Sequence, residues 1–308
     1  MLKIRDDRQL RSLTGVNEKV LDKLEAEFTR MYQEHQKRTY RQALAQKQRQ
    51  RKVGGGRKGV LREMRSKLYF ILYYLKNYPS FDVMAEKFHL SRSNAHANGH
   101  KLMPILSDTL QALGYLPKHQ DTCIEEVKAV FEAEERLLID VTERECCRPK
   151  DEVKQKEHDS GKQGYHTNKN TVIANAEKVV LFMGQTFAGR NHDYAMFKAE
   201  FPSEDKWFEN NKLDVDLGYQ GIKTDYPEAD IAIPFKKPRK SKKHPNPQLS
   251  DEQKDYNRAV SRARIYVENA ICGIKRFNIL VHRFRNRLEG FVDDVIVVCA
   301  GLWNALLL

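Results

Sequence analysis

At 308 residues the chain has room for one large domain or two modest ones, and 40% hydrophobic residues suffice for a buried core. Its 54 Lys+Arg against 42 Asp+Glu give a net charge of +12, while 31% charged residues and a longest apolar run, Val295 to Leu308, too short to span argue against a membrane protein. Met1 to Asp6 lack a signal peptide's apolar stretch and the five cysteines form no C-x-x-C pair, so neither a disulfide framework nor structural zinc is expected and the cytoplasm is the expected location.

The basic excess is N-terminal: residues 1–120 hold 24 basic and 11 acidic residues, and between Lys37 and Lys67 twelve Lys/Arg face only Glu63. Phosphate neutralisation with counter-ion release makes a polyanion the natural partner, against a solvated tail as the competing reading. In chain order, Val16 to Leu44 reads as a helix on the three- and four-residue spacing of Val20, Leu21, Leu24, Phe28, Met31 and Tyr32. Gly54-Gly55-Gly56-Arg57-Lys58-Gly59 reads as a linker that lets backbone approach a phosphate. Leu61 to Tyr78 is a second predicted helix. Ser80 caps a third, Phe81 to Phe88, and His89-Leu90-Ser91 turns into Arg92 to Lys101. This pair resembles a helix-turn-helix, whose second helix presents Arg92, Ser93, Asn94, His96, Asn98 and His100 to base edges and phosphates; a plain helical hairpin is the alternative.

Beyond Pro117 short β-rich runs are predicted at Arg136 to Val141, Asn170 to Ala174 and Val179 to Met183 through Phe187, the last two joined by the turn Asn175 to Lys178 as an antiparallel pair. A helix over Tyr194 to Phe201, strands at Leu213 to Leu217 and Ile231 to Pro234, and a long helix from Asp251 to Lys275 or beyond complete a mixed α/β pattern similar to the RNase H-like fold. Lys236, Lys237, Arg239, Lys240, Lys242 and Lys243 among prolines read as an exposed loop, either a DNA clamp or a solvated tether.

Asp140 closes an apolar strand and Asp216 another, and two converging acids suit a hard cation such as Mg²⁺; Glu268 is the third candidate. Arg264, Glu268 and Lys275 share one face of the long helix, so Arg264 and Lys275 either grip phosphates beside the metal or Arg264 pairs with Glu268 in an ordinary helix salt bridge. Asp193 in Gly189-Arg190-Asn191-His192-Asp193 is an N-cap or, with His192, an accessory contact. Lys154, Lys156, Lys162 and His166 read as phosphate or strand contacts, and Cys146-Cys147 as inert.

Over nearly its whole length the chain resembles the DDE transposases of bacterial insertion sequences, specifically the insertion-sequence-five group. The matching pieces are Gly54-Gly55-Gly56-Arg57-Lys58, Tyr78-Pro79 before the helix-turn-helix, Ile139-Asp140-Val141-Thr142-Glu143, Ser160-Gly161-Lys162 with His166-Thr167, Asp216-Leu217-Gly218-Tyr219-Gln220-Gly221, and Arg264 with Glu268 and Lys275. Ser261 stands where the related signature has a tyrosine. The resemblance implies an RNase H-like catalytic domain in which Asp140, Asp216 and Glu268 hold two Mg²⁺ ions, with Mn²⁺ as substitute. It further implies binding of double-stranded DNA at terminal inverted repeats and target, cleavage at the ends, and joining of the 3′-hydroxyl by two-metal phosphoryl transfer in at least a homodimer at the bacterial nucleoid. The expected division is 1–60, a basic helical region for dimerisation and end binding; 61–121, the helix-turn-helix; and 122–308, the catalytic domain with basic loop 234–250. The expected DNA contacts are Arg57, Lys58, Arg92, Ser93, Asn94, His96, Lys162, His166, Lys237, Arg239, Lys240, Arg264 and Lys275. Two alternatives stand beside this: a helix-turn-helix regulator with an inactive C-terminal domain, and a metal-dependent nuclease that cuts without joining.

Overall fold

The computed structural model describes residues 4–46, 59–240, 246–286, 288 and 290–308. The chain forms two compact units, one of Met1–Leu116, Arg276–His282 and Asn286–Leu308, the other of Pro117–Lys275 and Arg283–Arg285.

The first unit is helical. Helix α1 (Asp7–Thr14) ends at Gly15, whose φ of +83° and whose closeness to the Phe277 ring, 2.6 Å from where a Cβ would stand, leave room only for glycine. Asn17 caps α2 (Glu18–Ala45) by accepting from the Val20 N–H, and the predicted stripe Val20, Leu21, Leu24, Phe28 and Tyr32 is buried. Beyond Tyr32 no residue of α2 is buried. Helix α3 (Met64–Asn77) begins three residues later than predicted, its buried run starting only at Lys67. Ser80 and Ser91 cap α4 (Phe81–Phe88) and α5 (Arg92–Ala112), and His89, at φ +53°, makes the turn between them. Helix α5 runs eleven residues past the predicted Lys101. Leu102, Met103, Ile105, Leu106 and Leu110 are buried along it, and that burial outweighs the backbone bond lost at Pro104.

The apolar run near the C-terminus is a helix too, Phe291–Asn304, buried from Val295 to Leu302 and packed on α5, where Gly301 lets Leu110 and Leu116 close in. It therefore belongs with the helical unit and not, as expected, with the strands that follow residue 121. The helices also do not separate at residue 60: α2, α3 and α5 bury one another's apolar faces. Among the described residues no helix is long and apolar enough to cross a membrane.

The second unit is a mixed sheet with helices. In chain order it comprises β1 (Lys118–His119), α6 (Ile124–Glu132), β2 (Arg136–Glu145), α7 (Glu152–His158), β3 (Asp159–Ser160), β4 (Tyr165–Ala174), β5 (Val180–Met183), β6 (Phe187–Ala188) and α8 (Asp193–Glu200). It continues with β7 (Lys212–Asp214), α9 (Ile222–Asp225), β8 (Asp230–Ala232) and α10 (Asp251–Ile274). The main path through the sheet is β1-β5-β4-β2-β7-β8, with β3 and β6 on β4. The β4–β5 pair is antiparallel as predicted, and Asn175 Oδ1 accepts from the Glu177 and Val179 N–H groups in its turn.

Strands β2 and β4 exceed their predicted lengths because polar residues there satisfy one another. Arg144 Nη2 donates to Asn170 Oδ1 at 2.6 Å and Asn170 Nδ2 to the Gly184 carbonyl at 2.9 Å, so a stretch that reads as loop is paired strand. Strand alternation separates two faces. Leu137, Ile139 and Ile173 join Phe131, Phe182, Phe197, Phe201, Phe208 and Tyr226 in a buried aromatic core. Leu138, Asp140 and Val172 look the other way. Helix α10, started by a Ser250/Gln253 capping box, lies against β2, β4 and β7 and buries Val260, Ala263, Val267, Ala270 and Ile274.

Candidate active site

Strands β2 and β7 run parallel, their pairing ends with Leu138 opposite Asp214, and Asp140 and Asp216 each lie two residues further along extended backbone. Both acids point to the same side, since each lies two residues beyond its partner in the ladder. The strand at β7 stops at Asp214, short of the predicted Leu217. Asp216 instead caps a short 3₁₀ turn, Leu217–Tyr219, with Oδ1 accepting from the Gly218 N–H at 2.7 Å. A Cβ at Gly218 would stand 2.9 Å from that oxygen, so glycine here leaves the carboxylate its room.

Asp214, on the same face and alike in sequence, is set apart by its partner. It is fully buried and held at both carboxylate oxygens by the Arg136 guanidinium, with Nη2–Oδ1 at 2.8 Å. Its charge is committed to the fold, whereas Asp216 stays partly open.

Asp140 Oδ1 accepts from the Val141 N–H at 2.8 Å, and Oδ2 lies 3.3 Å from Arg264 Nη2 of α10. The two side chains are 21% and 17% exposed. Burial pushes the Asp140 carboxyl above the usual carboxylate range; Arg264 pulls it down, and Asp216 and Glu268 push it up by like charge. All three acids thus share one electrostatic field. Arg264 pairs with Asp140, not with Glu268 one turn further along α10, which is exposed. Among the described residues no three His, Cys, Asp or Glu side chains stand close enough together to hold an ion, so the acids form no closed cage.

Lys275 caps the C-terminus of α10 and donates from Nζ to the Glu143 carbonyl at 3.0 Å, tying the helix to β2; burial lowers its pKa. Lys162 is exposed in the turn between β3 and β4, and His166 sits half-buried on β4 opposite Asp159. Lys154 and Lys156 are exposed on α7, and Lys237, Arg239 and Lys240 are exposed outside any helix or strand. Arg57 and Lys58 lie outside the described residues.

In the helical unit Arg92, Ser93, Asn94 and His96 are exposed at the start of α5, while Asn98 and His100 are half-buried. His96 packs on Phe81 and His100, ring centroids 4.9 and 4.3 Å away, and Arg92 lies 3.7 Å from Asp82. The N-cap of α8 is His192 rather than Asp193; Asp193 is the first helical residue and accepts from Lys169 Nζ at 3.0 Å. Burial raises the Cys146 thiol to about 11, in keeping with an inert residue.

Two groups near the acids escaped the sequence reading. Tyr219 is buried with no hydrogen-bond partner at its hydroxyl, and Asp193, Asp140, Asp216 and Glu200 all raise its pKa after burial does. Glu200 ends α8 with both carboxylate oxygens buried, and burial raises it to about 7. Gly184 accommodates it: a Cβ there would stand 2.1 Å from Glu200 Oε1. The available signal was an acid placed between two core aromatics, Phe197 on the helix and Phe201 just past its end.

A mixed sheet that brings one acid on a strand and a second just past the neighbouring parallel strand beneath a helix carrying a third is an arrangement suited to a nuclease. The model of the DDE superfamily endonucleases matches residues 139–304, more than half of the chain and all three acids, and the chain belongs to that family. It is 36% identical over 171 residues to the probable transposase for insertion sequence element IS702 of Microchaete diplosiphon. That stretch is 56% of this chain and 57% of the relative, so the chain spans little more than half of the relative's length. No solved structure matches.

Proposed function

We propose that the chain is a DNA transposase of the insertion-sequence-five group, with an RNase H-like catalytic unit whose Asp140, Asp216 and Glu268 hold two Mg²⁺ ions, or Mn²⁺ in their place. The observation that supports this is the convergence of Asp216, just past β7, and Glu268 of α10 on Asp140, both acting on its carboxyl by like charge. The chemistry of the donors fits: carboxylates without thiol or imidazole suit a hard divalent cation that keeps several waters, so Asp140 and Asp216 can begin a site where, among the described residues, no three acids close on one point, and the buried charge of Asp140 is offset by a single guanidinium contact. When bound, such ions supply Lewis-acid stabilisation of the attacking and leaving oxygens of a phosphodiester.

The chain's own residues do the rest. Asp140 and Asp216 are fixed by backbone N–H groups and do not have to be ordered when substrate arrives. Lys162, His166, Lys237, Arg239 and Lys240, with Arg57 and Lys58, hold the phosphate backbone, and Lys275 secures the helix that carries Glu268. Arg92, Ser93, Asn94 and His96 meet the terminal inverted repeats of double-stranded DNA through the helix-turn-helix, and two chains pair two ends at the bacterial nucleoid. The helical unit, which includes Phe291–Asn304, serves end binding and recognition, and the sheet unit serves catalysis.

The test is cleavage and joining of a DNA fragment carrying the inverted repeats that flank this reading frame. Asp140→Ala is expected to abolish metal-dependent cutting and keep binding to the repeats. Cutting at the unchanged rate would remove Asp140 from the chemistry, and pre-cleaved 3′-hydroxyl ends left unjoined while cutting proceeds would reduce the activity to that of a nuclease.

A further inference from the structure

Asp140 carries two kinds of contact: a backbone N–H on Oδ1, and the Arg264 guanidinium on Oδ2. We infer that Arg264 is a resident counter-ion that stands in for metal at Asp140, and that metal loading displaces it and frees it for a DNA phosphate. The inference rests on the reading of Asp140 as a metal ligand and adds what happens to Arg264.

Compensation of Asp140 is necessary because the carboxylate is mostly buried and two further acids act on it. Among the described residues the ion pair it makes is with Arg264. A guanidinium and a divalent ion on one carboxylate repel each other, so the two occupancies compete.

The form of the pair makes it releasable. Arg264 reaches Asp140 through one nitrogen at 3.3 Å, and its Nε is buried without a hydrogen-bond partner. An unsatisfied buried donor costs free energy, so the guanidinium is held where it is by charge more than by geometry. The same sheet supplies the contrast: Arg136 grips Asp214 at both oxygens, the two-pronged arrangement of a permanent pair. Arg264 also belongs to the helix face that carries Glu268, so a cation drawing in Glu268 acts on the helix turn from which Arg264 extends.

The experiment is titration of the full chain with Mn²⁺ at pH 8, following free Mn²⁺ by electron paramagnetic resonance, for the wild type, Arg264→Gln, Arg264→Lys and Asp140→Asn. Arg264→Gln is expected to bind Mn²⁺ about tenfold more tightly than the wild type, because the competing cation is gone. Arg264→Lys, which keeps the charge with a shorter reach, is expected at about threefold, and it carries the test if the glutamine variant does not fold. Asp140→Asn is expected to lose the binding. Equal or weaker Mn²⁺ affinity in the Arg264 variants, with Asp140→Asn still abolishing it, overturns the inference and leaves the metal site standing. Unchanged binding in Asp140→Asn overturns the metal-site reading and this inference with it.

Discussion

Asp140 on β2 and Asp216 just past the end of β7 each lie two residues beyond the paired Leu138 and Asp214 and act on one another by like charge, although 76 residues separate them in the chain. Each is steadied by a backbone N–H, that of Val141 for one and Gly218 for the other. Two acids so placed repel each other and gain little for the fold, which is the economy expected of groups kept for chemistry.

Glu200 gives the clearest pH dependence. Its carboxyl is raised to about 7 in the fold, whereas an unfolded chain releases the proton near pH 4.3. The folded state therefore holds the proton longer, and stability falls as pH rises through the interval from about 4.3 to 7 and levels off above it. Glu200→Gln is expected to be more stable than the wild type by roughly 2–3 kcal/mol at pH 8, with the advantage shrinking toward pH 5. Urea unfolding across this range measures it, and a difference independent of pH would contradict the burial of an ionising group.

The Arg136–Asp214 pair is structural. Asp214 is fully buried, so Arg136→Gln leaves a carboxylate without its counter-ion at a cost of about 3–5 kcal/mol. Replacing both, as Arg136→Met with Asp214→Leu, is expected to recover most of that loss in denaturant unfolding. A single variant as stable as the wild type would show the pair to be dispensable.

At the start of α5, Arg92 and Asn94 should differ in kind. Arg92→Ala is expected to weaken binding to all duplexes alike and lower the salt slope by about one, as a phosphate contact does. Asn94→Ala is expected to cost about 1–3 kcal/mol on the terminal repeat and little on unrelated DNA. Fluorescence anisotropy at several salt concentrations separates the two, and identical effects on both DNAs would assign Asn94 no base.

Helices α2 and α10 were legible because their apolar positions recur every three or four residues, and the Ser80 and Asn175 signals marked a cap and a turn directly. The lengths of β2 and β4 were not, since Arg144 and Asn170 read as polar until they are seen to satisfy each other. The packing of Phe291–Asn304 on α5 depends on which apolar face lies free after the chain folds, information that no local pattern holds. At the site, Asp216 could be picked out, but its distinction from Asp214 comes from Arg136, 78 residues away in sequence. The partner of Arg264 is hidden for the same reason: four-residue spacing offers Glu268 or a phosphate beside it, and a strand 124 residues distant supplies Asp140.

The most direct test of a metal site at these acids exchanges oxygen for sulfur. Asp140→Cys and Asp216→Cys are expected to cut end-bearing DNA at least 10³-fold more slowly than the wild type in Mg²⁺ and to regain activity in Mn²⁺, which accepts a softer ligand. Cutting by both cysteine variants at the wild-type rate in Mg²⁺ would contradict the account.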